Sequence, residues 1–382
     1  MKKISCTFEM HHTEKRMIMI LNDLIRAIDA EAPFALQESY DNSGIQVGSP
    51  QQEIKRGLVC LDVTPEVMAE AVRKKCDVVI SHHPLIFKGL TRLAGETPAE
   101  QVVIEAIRHG IAVVAVHTNL DNIRLGVNHL LGTRLGLQNL RVLQPVKSML
   151  MKLVTFCPKD HAGKVRAAMF RAGAGHIGDY DCCSFGVEGK GSFRAGDDTS
   201  PFVGKVGELH YEAEERIETI LPVYLKHAVV AAMKDSHPYE EVAYDLYPLD
   251  NEFDQAGAGM LGDLPEAMQT EAFLQMVKET LGTTCLKHSR TGHQMIRSVA
   301  LCGGSGAFLL PAALQSGAQA FVTGDVKYHQ FFDATGKVLL VDAGHFETEQ
   351  FARELLHDIV KKKMINFALL VSEVDTNPVV YY

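Results

Sequence analysis

Short runs of β-branched and aliphatic residues alternate along the chain with stretches of helical period, a pattern typical of an α/β protein. Residues 65–75 and 307–317 have the spacing of amphipathic helices, and each lies between two apolar runs. The apolar runs are short enough to be buried strands. These strands are predicted at residues 58–63, 76–80, 113–116, 300–305, 319–323 and 338–341.

Two parts of the chain follow the same plan. Residues 58–81 read as strand, turn, helix and strand, and residues 300–323 can be laid over them without a gap. Both parts predict a βαβ unit. We therefore expect two βαβ-type lobes of a duplicated domain, at 17–150 and 250–382. Ligands would bind in the crevice outside the carboxyl ends of the strands.

The middle segment, residues 151–249, differs in character from both lobes. Its pattern gives the order βαββαβ, which suggests an inserted ferredoxin-like α+β domain. Within it, the glycine-rich stretch 188–198 is expected to form a loop. The full chain of 382 residues is too long for one ordinary core, so a discontinuous domain with an insert fits its length.

The chain opens with residues 1–16, which we expect to be a polar extension before a helix at 17–30. His11 and His12 are expected to belong to this tail and to ligate nothing. The opening has lysines but no apolar core or cleavage site, so it does not predict a secretory signal. No apolar run approaches 18 residues, which argues against a membrane-spanning helix.

Composition narrows the class of protein further. Apolar residues make up 46% of the chain and charged residues 22%, as in a chain that forms a core. A net charge of -9 argues against general nucleic-acid binding, which needs clustered Lys and Arg. The eight cysteines include no CxxC pair, and the adjacent Cys182 and Cys183 are badly placed to bond to each other. We expect a reduced, cytoplasmic protein.

Histidines stand at the ends of two predicted strands of the first lobe. The run 76–80 leads into His82 and His83, which point to opposite sides and can each serve a different ion. The run 113–116 leads into His117, followed four residues later by Asp121. A hydrogen-bonded histidine pair in a loop is the simpler alternative. The recurrence of the pattern at a third strand favours a metal site.

The third strand end lies in the second lobe. The run 338–341 leads into His345 and Glu349, whose spacing of four places both side chains on one helical face. Imidazole and carboxylate suit Zn, Fe, Mn, Co or Ni, and zinc is our first expectation. The sequence thus predicts two divalent metal ions held by both lobes.

These few side chains, shared between two ions, would leave positions open for water or substrate, as in catalytic rather than structural sites. We expect Glu349 to bridge the two ions. His82 and Asp121 are assigned to one ion, and His83 and His345 to the other.

Other polar residues near these strand ends have two interpretations each. His117 is either a proton-transfer group beside the metals or a hydrogen-bonded core histidine. Asp325, Lys327 and His329 either contact substrate or, for Asp325, cap the following helix. The glycine-rich turn 302–306 offers backbone N–H groups to an anion, but a tight strand-to-helix turn accounts for it equally.

Three strings carry a family resemblance: SHHPLIFKGL at 81–90, VHTNLD at 116–121 and GHFETE at 344–349. Together with the segment 38–48, they resemble the NIF-three-like family of dinuclear metal proteins. Members are also called GTP cyclohydrolase I type 2-like proteins. Tyr40 stands where family members usually have Trp, which keeps the aromatic ring.

The resemblance implies metal ligands at the same five positions as the spacing argument: His82, His83, Asp121, His345 and Glu349. Through 191–194 and 237–241, the middle segment resembles the PII-like or CutA-like insert of longer bacterial members. The family resemblance also implies a homo-oligomer, either a trimer through the insert or a toroidal hexamer.

Three functions remain open at this stage. The first is a metal-dependent hydrolase acting on a nucleotide-like or phosphorylated small molecule, as the family name suggests. The second is a non-enzymatic metal-binding, sensing or regulatory protein whose PII-like insert binds an effector. The third is an interaction scaffold whose metals stabilise the fold. Loss of turnover in Glu349→Ala would favour the first. Loss of effector response on deleting the insert, with metal content intact, would favour the second.

Overall fold

The computed structural model describes residues 19–382, so the expected extension at 1–16, with His11 and His12, lies outside the described residues. Two compact units make up the described chain. The first unit contains residues 19–118 and Ala352–Val379, and the second contains Asn119–Phe351 and Val380–Tyr382.

The secondary structure is a mixture of short strands and helices. The strands are β1 (Gly44–Val47), β2 (Arg56–Cys60), β3 (Val78–Ser81), β4 (Ala112–Ala115), β5 (Gln138–Val146), β6 (Leu150–Pro158), β7 (Ser184–Arg194), β8 (Leu209–Pro222), β9 (Tyr244–Leu249), β10 (Phe253–Gln269), β11 (Lys287–His288), β12 (Met295–Leu301), β13 (Ala320–Thr323), β14 (Leu339–Asp342) and β15 (Ala368–Val371).

The helices fall between and after these strands, and in the part of the chain that the structure describes none is long and apolar enough to cross a membrane. They are α1 (Leu21–Asp29), α2 (Pro65–Arg73), α3 (Pro98–His109), α4 (Thr118–Asn122), α5 (Val127–Arg134), α6 (Lys159–Arg171), α7 (Lys226–Ser236), α8 (Thr270–Leu281), α9 (Leu310–Gln315), α10 (Gln330–Ala334), α11 (His345–Glu349) and α12 (Ala352–Lys363).

The first unit is built on a five-stranded sheet in the order β1-β4-β3-β2-β15. Strands β4, β3, β2 and β15 are parallel, and β1 runs antiparallel at the edge. Strands β3 and β4 are buried along their whole length, as their valine-rich sequences predict. Because the parallel strands end at the same edge, the residues after β3 and β4 come together there.

Helix α2 shows how the sequence directs the crossover from β2 to β3. The Thr64 hydroxyl accepts a hydrogen bond from the Val67 N–H, and Pro65 occupies the first turn, where a missing N–H does no harm. Val67, Met68 and the rest of its apolar face pack into a buried cluster with residues of β2, β3 and β4. The predicted helix at this position is therefore present.

The second unit contains a six-stranded mixed sheet in the order β11-β14-β13-β12-β10-β5. Its three central strands, β14, β13 and β12, are parallel to one another. Leu58 pairs with Val79 in the first unit, and Ala300 pairs with Phe321 in the second. Residues matched in the gap-free alignment thus hold the same places in the two strand pairs. Duplication of the domain stays a prediction.

A third, four-stranded sheet also lies in the second unit, in the order β7-β8-β6-β9 with all neighbours antiparallel. Its elements follow the chain order strand, helix, strand, strand, helix, strand. Apolar residues of α6 and α7 pack against one face of this sheet. Ile217 of β8 belongs to that cluster, so every second residue from it faces the helices.

The expected loop at 188–198 is wrong over most of its length, because β7 continues to Arg194 and pairs with β8 throughout. Two glycines of β7, Gly186 and Gly191, leave space for neighbouring side chains. A Cβ at Gly186 would collide with the carboxylate of Glu215, and one at Gly191 would collide with that of Glu214. The two carboxylates thus lie across β7 because no side chain opposes them.

A buried carboxylate fastens the last strand of the first unit. Glu70 is only 2% exposed, and it accepts hydrogen bonds from the Ser372 hydroxyl and the Glu373 N–H and pairs with Lys74 at 2.7 Å. Burial opposes the charged form, but the hydrogen bonds from Lys74, Ser372 and Glu373 outweigh it and lower the pKa of Glu70.

Glu70→Gln is expected to lower the free energy of unfolding by about 2 kcal/mol at neutral pH, because a charge-assisted network is lost. Since the pKa of Glu70 is depressed on folding, its contribution is present above the ordinary value near 4.5 and is lost as pH falls below it. Urea unfolding measures this effect. The difference in the free energy of unfolding between wild type and variant should be smaller at about pH 3.5 than at pH 7.

The matched control is Glu105→Gln, which removes a solvent-exposed ion pair with Arg108. That pair is expected to contribute under about 1 kcal/mol at either pH. If Glu70→Gln lowered the free energy of unfolding equally at both pH values, the stabilisation would not come from ionised Glu70.

Candidate metal centre

Three imidazoles converge at the carboxyl edge of the sheet in the first unit. His82 and His83 follow β3, and His117 follows the neighbouring parallel strand β4. The ring centroids are 5.0 Å apart for His82 and His83, 5.3 Å for His82 and His117, and 5.4 Å for His83 and His117. One ring nitrogen from each lies within 4.8 Å of the other two. Nitrogens so grouped can hold a divalent ion.

Each of these rings is oriented through its Nδ1 atom. The partners are oxygen atoms that can only accept a hydrogen bond, so Nδ1 carries the proton and Nε2 keeps its lone pair. This is the arrangement that fixes the tautomer of a metal-binding histidine. The pairs are His82 with the Val116 carbonyl at 2.9 Å, His83 with Asp62 at 2.7 Å, and His117 with Asp41 at 2.8 Å.

Asp41 is held as firmly as the histidine it orients. Its side chain has no exposed surface, and it accepts hydrogen bonds from His117 and from both the N–H and the hydroxyl of Thr118. Burial favours the protonated acid, but these hydrogen bonds outweigh it and keep the pKa of Asp41 well below its usual range. The carboxylate is therefore ionised when it supports His117.

Sequence reasoning missed the roles of Asp41 and Asp62. Asp41 lies within the segment 38–48, which carried a family resemblance but no assigned role. Asp62 follows β2, the parallel neighbour of β3. Because ligands bind at the carboxyl ends of parallel strands, its position after a strand could have indicated a place near the site. Its second oxygen accepts a hydrogen bond from the Thr376 hydroxyl at 2.8 Å, which fixes the carboxylate.

In the second unit, His345 and Glu349 are the first and last residues of α11. The His345 Nε2 atom lies 2.9 Å from a carboxylate oxygen of Glu349, and Glu349 is only 4% exposed. The spacing of four thus brings both groups to one place, as the sequence predicts. His345 Nδ1 lies 2.7 Å from Asp325, so this ring also has an acidic partner on Nδ1.

Asp325 follows β13 with φ +53°, a conformation that Asp tolerates better than most residues. The Ser305 hydroxyl donates to the same Asp325 oxygen that contacts His345. Burial opposes the charge, but the hydrogen bonds from Ser305 and His345 outweigh it and lower the pKa of Asp325. The helix-cap alternative is wrong, because α10 begins at Gln330 with His329 at its cap.

Lys327 and His329 are exposed, unlike the buried groups around Glu349. The Lys327 N–H donates to the Gln330 side chain at 2.8 Å, and the His329 ring packs near Tyr328 with centroids 5.3 Å apart. Both contacts are made with near neighbours in the chain. A role of these two residues toward substrate stays a prediction.

The charges of Asp121 and Glu349 both influence the pKa of the buried Cys302 thiol. Burial raises the pKa of that thiol, and the charges of Asp121 and Glu349 raise it further. Asn128 connects this region: its amide donates to the Asp121 carbonyl at 3.2 Å and accepts from the Gly303 N–H at 2.8 Å. Asp121 and Glu349 are thus neighbours within the second unit.

The turn at 302–306 is a tight structural turn. The N–H of Gly303 donates to Asn128, that of Gly304 to the Thr348 hydroxyl at 3.0 Å, and that of Gly306 to the Thr323 hydroxyl at 3.0 Å. Because these donors are used within the protein, the turn does not offer the row of N–H groups that a phosphate loop needs.

The fold is that of an α/β protein, and its grouped histidine and carboxylate side chains could hold a metal ion. The Duf34/NIF3 (NGG1p interacting factor 3) family model matches residues 19–378. The chain belongs to this family, which confirms the resemblance that its histidine motifs carry.

Relatives match along nearly the whole chain. The GTP cyclohydrolase 1 type 2 homolog of Halalkalibacterium halodurans is 40% identical and covers 93% of this chain and 97% of its own length. The Bacillus subtilis protein of the same name is 39% identical over 93% of this chain and 96% of its own. A crystal structure of a Bacillus cereus protein related to NIF3 has a TM-score of 0.84 at 37% identity, covering 96% and 100% of the two chains. The mixed α/β fold with several sheets agrees with that structure.

Proposed function

We propose that this protein binds two divalent metal ions and uses them as a hydrolase on a nucleotide-like or phosphorylated small molecule. The ligands in this proposal are His82, His83, Asp121, His345 and Glu349. Zinc is the first candidate, since neutral imidazole and carboxylate are ligands it accepts in open sites. Iron, manganese, cobalt and nickel accept the same ligands.

One observation carries the metal proposal: the four histidines of the site all have Nδ1 held by an acceptor. Isolated surface histidines have no need of such support, whereas metal ligands do, because the second nitrogen must keep its lone pair. This arrangement supports divalent metal ions at the site, and their number, two, is part of the proposal. The supporting acceptors are the Val116 carbonyl, Asp62, Asp41 and Asp325.

In this proposal the ligands divide as the sequence suggests, with Glu349 shared, His82 and Asp121 on one ion, and His83 and His345 on the other. A bound divalent ion lowers the pKa of a water molecule and polarises the group under attack. Five protein ligands leave room for water and substrate, which favours catalysis over a purely structural site.

We propose that His117 is a proton-transfer group. Its ring is fixed by ionised Asp41 and stands beside His82 and His83. We propose that its Nε2 atom accepts or returns a proton during hydrolysis while Asp41 holds the ring in place. The alternative role of His117 is that of an additional imidazole ligand beside His82 and His83, which the close grouping of the three ring nitrogens also permits.

The substrate class rests on the relatives, which are named GTP cyclohydrolase 1 type 2 homolog. A nucleotide-like substrate would meet Lys327 and His329, both exposed and both close to Asp325 in the chain. We propose that these side chains contact its anionic part.

The four-stranded sheet and its two helices support the proposal of a ferredoxin-like, PII-like insert at 151–249. The chain order strand, helix, strand, strand, helix, strand is the order of that fold. By the same resemblance we propose that the protein is a homo-oligomer, a trimer or a hexamer.

The test is metal analysis of the purified protein followed by a turnover screen with a panel of nucleotides. Glu349→Ala is expected to reduce the metal content of the protein below about two ions per chain. It is also expected to reduce turnover by at least about 100-fold. Glu271→Ala is the control, since Glu271 is an exposed residue in the first turn of α8.

Three outcomes separate the candidate functions. Two ions with turnover that Glu349→Ala abolishes would support the hydrolase. Two ions without turnover on any substrate would favour a metal-binding or regulatory protein. A metal-free protein after loading, with correct folding by circular dichroism, would overturn both.

A further inference from the structure

A cavity of about 640 Å³ lies on the four-stranded sheet of the second unit, away from the metal-binding residues in sequence. It is lined by residues of β7 and β8, by the segment after β7, and by the segment between α7 and β9. Glu214 and Arg216 alternate with Ile217 along β8, so they lie on the face opposite α6 and α7. This volume suits a small organic ligand.

Two sequence motifs that the metal proposal leaves without a role meet in this cavity. The first, at 191–194, contributes Phe193, and the second, at 237–241, contributes Tyr239. The ring centroids of Phe193 and Tyr239 are 6.1 Å apart, and those of Phe202 and Tyr239 are 6.3 Å apart. Tyr239 is tilted to both phenylalanine rings, and all three rings line the cavity.

A buried carboxylate lies among these rings. Glu214 is only 9% exposed, and its Oε1 atom accepts a hydrogen bond from the Tyr239 hydroxyl at 2.8 Å. Gly191 leaves the space that the other oxygen occupies, since a Cβ there would collide with it. Tyr239 is fixed in turn, because its N–H donates to His237 at 3.1 Å. The chain therefore holds this carboxylate in one position.

Basic side chains around the cavity contact groups other than Glu214. Arg216 pairs with Glu218 at 2.8 Å, and the Lys190 ammonium lies 4.6 Å from the ring centroid of Tyr211. Arg194 is exposed to solvent. The buried Glu214 carboxylate therefore has the neutral Tyr239 hydroxyl as its partner, which compensates a negative charge only in part.

We propose that this cavity binds a small organic cation, an ammonium group carried on an apolar or aromatic body. The ammonium would pair with Glu214, and the faces of Phe193, Phe202 and Tyr239 would attract the same charge through their π-electrons. The apolar body would fill the rest of the cavity against the rings. This inference does not depend on the metal site or on its proposed activity.

The test uses three probes that share one phenyl ring but differ in charge: 2-phenylethylamine, 2-phenylethanol and 3-phenylpropionate. Dissociation constants for the full-length protein are measured by ligand-observed NMR titration. The amine is expected to bind at least about tenfold more tightly than the alcohol, because it adds the ion pair and the cation–π contacts. The anion is expected to bind most weakly.

Variants locate the site. Glu214→Gln is expected to weaken amine binding at least about tenfold while leaving alcohol binding nearly unchanged. Gly191→Ala keeps every charge but displaces the Glu214 carboxylate, so it should weaken the amine as well. Phe202→Ala removes a ring that is 51% exposed, and a loss of about 3–10-fold is expected without loss of folding.

Two control variants test whether the ammonium binds at Glu214 itself. Glu241→Gln removes the same charge at an exposed position of the cavity wall, so it should leave amine binding within about twofold of wild type. Glu349→Ala should leave it unchanged even if it abolishes metal binding. Equal losses in Glu214→Gln and Glu241→Gln, tighter binding of the anion, or no amine binding at about 10 mM would overturn the proposal.

Discussion

Gly304→Ala is expected to weaken zinc binding at the proposed metal site by about 100-fold or more, although glycine itself offers no ligand. A Cβ at this position would collide with the Glu349 carboxylate and would lie 3.2 Å from the His345 ring. Glu349 is buried and has little room to retreat, so the carboxylate would be pushed out of its place. Competition with a chromophoric chelator measures the zinc dissociation constant.

Gly317→Ala is the matched control for the backbone part of this change. Both glycines have positive φ, +56° for Gly304 and +75° for Gly317, so alanine is strained at either position by about 1 kcal/mol. A Cβ at Gly317, however, meets nothing within 4 Å. Gly317→Ala should therefore lower the melting temperature slightly and leave zinc affinity unchanged.

Equal zinc affinities for Gly304→Ala and wild type would show that Glu349 is not a ligand in its present position. Equal losses for Gly304→Ala and Gly317→Ala would trace the effect to general destabilisation. Only a loss confined to Gly304→Ala supports the role of the turn in leaving space for the ligand.

Asp325→Ala is expected to weaken zinc binding at the proposed metal site by about 10–100-fold, the range for loss of a group that orients a metal-binding histidine. The carboxylate accepts from His345 Nδ1 and is itself held by the Ser305 hydroxyl. Without it, the ring loses its fixed tautomer and its orientation. The same chelator competition measures the effect.

Two further substitutions separate orientation of His345 from backbone strain at φ +53°. Asp325→Gly removes the carboxylate but suits the backbone, so its zinc affinity should match that of Asp325→Ala. Asp325→Asn keeps an acceptor oxygen and tolerates the conformation, so it should retain most of the affinity. Wild-type affinity in Asp325→Gly would show that strain, and not the lost acceptor, weakens the alanine variant.

Sequence patterns anticipated the elements that carry the site. The run at 76–80 became β3, the run at 113–116 became β4, and the run at 338–341 became β14, each displaced by one or two residues. These strands are buried on both faces, so continuous apolar sequence identifies them directly. The spacing of His345 and Glu349 likewise follows from helical geometry alone.

The same sequence patterns did not predict which acidic residues hydrogen-bond to the histidines. Asp41 reaches His117 from a segment 76 residues earlier, and Asp62 reaches His83 from 21 residues earlier. Local periodicity carries no information about such pairs, because each depends on where the strands lie in the sheet. Asp325 was singled out, but its contact with His345 across 20 residues was not anticipated.

Glycines gave the least reliable signals. The glycine-rich stretch at 188–198 has the composition of a loop, yet β7 continues to Arg194, and the Glu214 carboxylate occupies the space beside Gly191. The turn at 302–306 has the composition of an anion-binding loop, yet its N–H groups donate to Asn128, Thr348 and Thr323. Which role a glycine plays depends on neighbours distant in sequence.

By itself, the sequence determined the α/β class, the buried strands, the histidines at their ends and the family, since these depend on residue type and short-range spacing. Only the tertiary structure decided which acceptor orients each imidazole and why Gly304 must lack a side chain. It also brought Phe193, Glu214 and Tyr239 around one cavity. The physical reason is that hydrogen bonds and steric exclusion act over a few ångströms, between residues that the sheets bring together from distant parts of the chain.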